Sequence, residues 1–146
     1  TIVVQGNEIL GKPDNASDAR FILRRLRGRS HEVVTAIAVM GENGTMVHED
    51  ACTTQVQVGE FSDHLLESYI ATGDSLDKAG AYGIQNRRFN LAAPVDGCLA
   101  NVIGLPLCHL ARTLRKLNVH PPVDVPQVCQ THIEYDCPVY ERILSE

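Results

Sequence analysis

The stretch that most limits the fold is a long β-forming pair. His31 to Val39 (His-Glu-Val-Val-Thr-Ala-Ile-Ala-Val) is a nearly continuous apolar run, and Thr45 to Val58 follows it after Glu42-Asn43-Gly44. A run of that kind suits a strand covered on both sides, near the centre of a sheet. The Asn-Gly pair is a turn signal that folds the chain back, and the alternation Gln55, Val56, Gln57, Val58 marks the antiparallel partner. Two strands cannot bury their own apolar surface, so the remaining segments must supply further strands and helices to cover them.

Those segments are readable on both sides of the hairpin. Thr1 to Gln5 reads as a buried strand, Gly6-Asn7 as a turn and Glu8 to Leu10 as a short returning strand. A helix follows Pro13, capped by Asp14 or Asn15, with Ala16, Ala19, Leu23 and Leu26 on its apolar face and Gly28 at its end. Arg20, Arg24, Arg25 and Arg27 make its other face a solvated one. Ser62 caps the next helix, where Phe61 is placed to pack on Leu66, and Leu65, Leu66, Tyr69 and Ile70 form the buried stripe before Gly73. Phe89 to Ala93 suits a short strand. Pro106 opens a last helix with Leu107, Leu110, Ala111, Leu114 and Leu117 as its apolar face. The alternation of strands and helices gives an α/β class, with a mixed, twisted sheet flanked by helices.

The character changes beyond Asn118, which divides the chain into 1–118 and 119–146. His120-Pro121-Pro122 and Pro126 mark a stiff linker, and a tail runs from Gln127 to Glu146. Cys129, His132 and Cys137, with His120, are soft metal-ligand types, but they lack the paired short spacings of a structural zinc site. A tail packed through Ile133, Tyr135, Tyr140, Ile143 and Leu144 is the expectation instead.

Composition narrows the function. The chain has 146 residues, 44% of them hydrophobic, enough for one domain with its own core. Its net charge of −5 argues against general affinity for nucleic acid, whose phosphates demand a basic face, so any phosphate site must be local. No apolar run is long enough to cross a bilayer, and no signal peptide stands at the N-terminus, so the expectation is a cytoplasmic protein without a membrane partner. Five scattered cysteines do not resemble a disulfide framework, and reduced thiols are expected.

The candidate chemistry lies in Asp77 to Gln85 (Asp-Lys-Ala-Gly-Ala-Tyr-Gly-Ile-Gln), which follows directly on a helix end. Its two glycines let backbone approach a ligand closely, Lys78 brings a compact charge, and Gln85 offers a donor and an acceptor together. Taken alone, such a stretch also describes an ordinary turn. Earlier, Gly6, Gly11 and Lys12 match the start of a phosphate-binding P-loop, but Pro13 stands where that motif needs a hydroxyl and biases Lys12 away from the helical conformation. Lys12 is instead a loop lysine just before a helix, placed to meet an anion.

Taken in order, the motifs are Thr1-Ile2-Val3-Val4, Leu10-Gly11-Lys12-Pro13, Gly28 with His31-Glu32-Val33, Thr35, the stretch Asp77 to Gln85, Gly97, and Asn101-Val102-Ile103-Gly104-Leu105-Pro106-Leu107. From Thr1 to about Leu117 this series closely resembles the Maf family of septum-formation-like nucleoside triphosphate pyrophosphatases. The resemblance implies a fold similar to that of the family and its inosine-triphosphatase-like relatives. It also implies a hydrolase that cuts a nucleoside triphosphate between its α and β phosphates, assisted by magnesium or manganese, and a homodimer. Lys78 and Gln85 in their stretch look like the branch acting on dTTP and UTP. In that branch Thr1 and Gln85 match specificity positions, and Lys12 and Lys78 match phosphate-contacting, catalytic lysines; no metal ligand is singled out. Family members carry an earlier Ser-Pro-Arg-Arg motif and an Asp, the proposed base, immediately before the position of Thr1. The expectation is therefore an N-terminally truncated member that binds nucleotide weakly and hydrolyses it poorly. Asn86-Arg87-Arg88 and Leu99 depart from the family pattern at the outer wall of the base pocket. The rival expectation is a non-catalytic nucleotide-binding or cell-division regulatory module.

Overall fold

The computed structural model describes residues 1–146. Five strands form one sheet in the order β2-β1-β3-β4-β5: β1 Ile2–Gln5, β2 Glu8–Leu10, β3 Ser30–Met40, β4 Met46–Val58 and β5 Ala92–Asp96. The α/β class holds, with helices packed on the sheet, but the sheet is not the mixed one expected: all four strand pairings are antiparallel. The β3–β4 hairpin is its spine, in register from Ser30↔Gln57 to Val39↔His48, with a shift of one residue before Met40↔Met46. β1 pairs with β3 only around Ile2↔Val34 to Val4↔Glu32, and β5 pairs with β4 only from Gln55↔Asp96 to Val58↔Ala92. Beyond these pairings the hairpin is two-stranded, and α4 packs on part of it.

β3 is the central strand, as its composition suggests, but it is not covered on both sides. His31, Val33, Thr35 and Ile37 are buried, whereas Glu32 and Val34 are half-buried and Ala36 and Ala38 exposed. An antiparallel sheet can leave one face to solvent, and here the small alanines make that exposure inexpensive. The fifth strand also lies later than Phe89 to Ala93. Phe89 belongs to the preceding loop, where its ring packs edge-on against Tyr69 at 5.2 Å. The true strand carries Pro94, which an edge strand tolerates because one side of it needs no ladder hydrogen bonds.

Helices α1 (Ala16–Leu26) and α2 (Asp63–Ile70) cover the first half of the sheet. Asn15 caps α1 by accepting from the backbone N–H groups of Ser17 and Asp18, and Ser62 caps α2 by accepting from Leu65. Ile22 joins Ala19, Leu23 and Leu26 on the buried face of α1, while Ala16 is exposed. The arginine row of α1 is not idle: Arg20 pairs with Glu67, Arg24 and Arg27 with Asp63, and Arg25 with Glu8. These guanidinium groups tie α1 to α2 and β2 and are spent on protein carboxylates. Val3, Leu23, Val33, Val56, Leu66 and Tyr69 are central to the core between these helices and the sheet.

Helices α3 (Leu99–Ile103), α4 (Leu107–Lys116), α5 (Val125–Ile133) and α6 (Tyr140–Ser145) build a second, smaller core. It joins Cys52 and Cys98 to Cys108, Cys129 and Ile143, with Ile133, Tyr140 and Leu144 packed against it, and all five thiols are free. α4 is therefore not the last helix, and its buried side is not the leucine face. Cys108, His109, Ala111, Arg112 and Thr113 face inward, while Leu110 and Leu114 are half-buried. The cause is Asp50 of β4, which accepts from Arg112 Nη2 at 2.7 Å. Arg112 also reaches the Ile143 carbonyl at 3.2 Å and the carboxylate of Glu146. A guanidinium satisfied by a carboxylate can be buried, and this one turns the helix.

Candidate functional site

The stretch from Asp74 to Gln85 is anchored at three points. The Gly80 N–H donates to the Gly11 carbonyl at 3.1 Å, which holds the loop carrying Lys12 beside the stretch carrying Lys78. The Gly83 N–H donates to the phenol oxygen of Tyr69 at 2.9 Å, and that phenol donates to Asp74 Oδ2 at 2.9 Å. Asn86 Nδ2 donates to the same carboxylate oxygen at 3.0 Å. Asn86, then Lys78, hold the Asp74 carboxyl below its ordinary range, and burial pushes the Tyr69 phenol up. Tyr69 thus joins the core of α2 to the stretch that carries the candidate chemistry.

The glycines act differently from the sequence expectation of a backbone bared to a ligand. Gly80 has φ +74, and a Cβ there would lie 3.1 Å from Val3 Cγ2. A Cβ on Gly83 would lie 3.0 Å from Lys78 Cε and 3.1 Å from Asp74 Oδ2. One glycine makes room for β1, the other for the lysine and its partner.

A cavity of about 220 Å³ opens beside this stretch, and Thr1, Lys12, Lys78 and Gln85 all line it. β1 contributes Thr1 at its start, the β2–α1 loop contributes Lys12, and Val33, Tyr82, Val102 and Ile103 give apolar surface. Lys78 is about a third exposed; its Nζ lies 2.6 Å from Asp77 Oδ1, 2.9 Å from Asp74 Oδ1 and 3.1 Å from the Asp74 carbonyl. The hydrogen bond to Asp77 leads in raising its pKa, so it is a firmly charged ammonium. Lys12 is exposed, as are Thr1 and Gln85 on the rim. Asp77 is the one carboxylate among the lining residues.

Hydrogen bonds between residues far apart in the chain shape the cavity. The Thr1 and Thr35 hydroxyls lie 2.8 Å apart, and Thr1 Oγ1 donates to the Gly104 carbonyl at 3.3 Å. Asn101 Nδ2 donates to the Val33 carbonyl and to Thr54 Oγ1, each at 2.9 Å, which pins α3 across β3 and β4 and sets Val102, Ile103 and Gly104 at the cavity. Buried His31 meets the Tyr82 phenol through Nε2 at 2.8 Å, and burial lowers its pKa to about 4, so its imidazole is neutral at pH 7. Tyr82 is thereby fixed at the cavity wall.

The metal-type residues of the tail are dispersed. Cys129 is buried in the second core, the Cys137 N–H donates to Gln130 Oε1 at 2.8 Å, and His132 lines a different cavity. No three His, Cys, Asp or Glu side chains are grouped as a metal site. No helix is long and apolar enough to cross a membrane.

The cavity joins two cations, a side-chain amide and an apolar wall, and the comparisons with known proteins concern the part of the chain that builds it. The profile of the family described as Maf-like protein matches residues 1–117. A dTTP/UTP pyrophosphatase of Dictyoglomus thermophilum is 44% identical over 117 residues, covering 80% of this chain and 61% of that protein. One of Alkaliphilus metalliredigens is 47% identical over 116 residues, covering 80% and 60%, and one of Geotalea uraniireducens is 43% identical over 117 residues, with the same coverage. The chain spans about three fifths of the length of these relatives. With the matched residues forming the sheet, the cavity and both lysine-bearing loops, the chain belongs to the Maf-like family.

Proposed function

We propose that the cavity binds dTTP or UTP and serves their hydrolysis between the α and β phosphates, giving the nucleoside monophosphate and pyrophosphate. The observation that carries this reading is the gathering of Lys12, Lys78 and Gln85 around one cavity. The relatives named dTTP/UTP pyrophosphatase support it. Water forms a bond to the α phosphorus as the bond to the bridging oxygen breaks, and negative charge builds on the departing pyrophosphate. Fixed cations stabilise that charge more than the ground state, which is the condition for acceleration. Lys78 is held at its carboxylates before substrate arrives and exchanges them for phosphate oxygens. A pyrimidine with an acceptor beside an N–H donor is read by the Gln85 amide, which pairs with both.

A magnesium or manganese ion belongs to this reading as a companion of the triphosphate. Such ions need only one or two carboxylates when phosphates and water complete the shell, and Asp77 on the cavity lining is the side chain that would hold one. Bound there, the ion neutralises phosphate charge. A second copy of the chain is the partner that suits the bare end of the hairpin ribbon, where Met40, Met46 and Val47 are exposed. A homodimer has the mass of two chains by sedimentation; a single-chain mass contradicts it. An enzyme of nucleotide pools of this kind works in the cytoplasm.

Calorimetric titration of the chain with dTTP, UTP and dATP tests the site. The expected result is that both pyrimidine nucleotides bind roughly tenfold more tightly than dATP, and that Gln85→Ala removes most of this preference. Equal affinity for dATP in the unaltered chain contradicts the assignment of the base end.

A further inference from the structure

A second cavity, of about 420 Å³, adjoins the first: Ile84, Gln85 and Ile103 line both. Its far side comes from the end of α5, as His132, Glu134 and Tyr135, residues that lie beyond the 117 matched by the family. The local chain geometry builds this wall. Glu134 ends α5 in the left-handed conformation, with φ 51 and ψ 49, its N–H donating to the Gln130 carbonyl. Tyr135 N–H donates to the same carbonyl at 3.2 Å, so the chain turns back at the cavity instead of running on as helix. Arg87, two residues after Gln85, reaches across and pairs with Glu134 at 2.6 Å. Leu99, at the start of α3, completes the inner side.

We propose that this tail-walled cavity is an extension of the base site that admits a polar, amine-bearing substituent at C5 of a pyrimidine nucleoside triphosphate. The proposal rests on Gln85 reading the base. In uracil and thymine the amide meets the O4 acceptor and the N3–H donor; C5 is bonded to C4, so whatever C5 carries leaves the first cavity beside Gln85. Gln85 stands where the two cavities meet, and the second is many times the ~30 Å³ that a water molecule occupies in the liquid. The lining decides the chemistry of the substituent. Glu134 is the acidic residue of that wall, and its present partner, Arg87, is an exposed side chain whose ion pair is weak in solvent. An amine on the substituent competes for the Glu134 carboxylate at little cost. Specificity at this end then depends on residues 132–135 together with Leu99 of the matched domain.

The test compares dTTP with 5-aminoallyl-dUTP by calorimetric titration of the full chain. The expected result is that the two bind within about threefold of each other, since the cavity accepts the longer group without rearrangement. Glu134→Gln, which removes the charge but keeps the size, weakens 5-aminoallyl-dUTP roughly fivefold and leaves dTTP unchanged. Leu99→Phe, which fills the cavity, weakens 5-aminoallyl-dUTP at least roughly tenfold relative to dTTP. Binding of dTTP with tenfold weaker binding of 5-aminoallyl-dUTP to the unaltered chain overturns the proposal and leaves the base-site reading standing. Variants that shift both nucleotides alike do the same. Failure of both nucleotides to bind overturns the base-site reading and this proposal with it.

Discussion

Lys78→Ala lowers the affinity of the chain for dTTP roughly 100-fold, whereas Lys12→Ala lowers it roughly threefold to fivefold. The difference follows from how the two ammonium groups are held. Lys78 is partly buried, stripped of much of its water and fixed at two carboxylates, so it meets a phosphate with little loss of freedom. Lys12 lies on an exposed loop and pays both ordering and screening. Removing Lys78 does more than delete a cation. It leaves Asp74 and Asp77 without their common partner, and Asp77 then faces the incoming triphosphate as an unpaired anion. The double variant Lys78→Ala/Asp77→Asn accordingly recovers part of the loss in metal-free buffer. Equal effects of the two alanine substitutions in calorimetric titration contradict this division of labour.

Gly80→Ala destabilises the fold by about 2–4 kcal/mol and weakens nucleotide binding along with it. About 1 kcal/mol of this is the cost of a Cβ in the left-handed region at φ +74. The rest comes from overpacking, because the added carbon sits 3.1 and 3.2 Å from the two methyl groups of Val3, a buried residue of β1 that has nowhere to move. Since the Gly80 N–H holds the Gly11 carbonyl, the same displacement moves Lys12 away from Lys78. Gly83→Ala separates the two effects. Its Cβ meets the end of the Lys78 side chain, which can swing away, and Asp74 Oδ2, so stability falls less than in Gly80→Ala while the lysine loses its position. Urea denaturation and nucleotide titration on both variants check the pair: similar midpoints for Gly80→Ala and the unaltered chain would sink the argument.

How much of this was legible in the sequence depended on whether the deciding interaction was local. The hairpin was readable because Glu42-Asn43-Gly44 and the alternation of Gln55 to Val58 carry their signals within a few residues, and Asn15 and Ser62 cap helices for local reasons. The inward face of α4 was not, because Asp50, which draws Arg112 into the core, lies 62 residues away and apolar periodicity takes no account of a paired charge. Phe89 looked like strand because aromatics favour strands, yet its ring is consumed by Tyr69. At the site, Thr1, Lys12, Lys78 and Gln85 were singled out through motifs, and the fold places all four around one cavity. Tyr69 was read as core, which it is, and its phenol's contact with Asp74 and Gly83 could not be seen in a helical stripe. The wall made by His132, Glu134 and Tyr135 arises from packing of α5 and leaves no trace in residue spacing.

The proposed reaction is cleavage between the α and β phosphates. Incubating the chain with dTTP labelled at the α phosphate, with magnesium or manganese, and separating the products chromatographically tests it independently of rate. The expected result is label in dTMP with an equal amount of pyrophosphate and none in dTDP, however slow the turnover. Label in dTDP with release of inorganic phosphate contradicts it, as does bound dTTP that stays uncut with either cation, which is the result expected of a module that only binds.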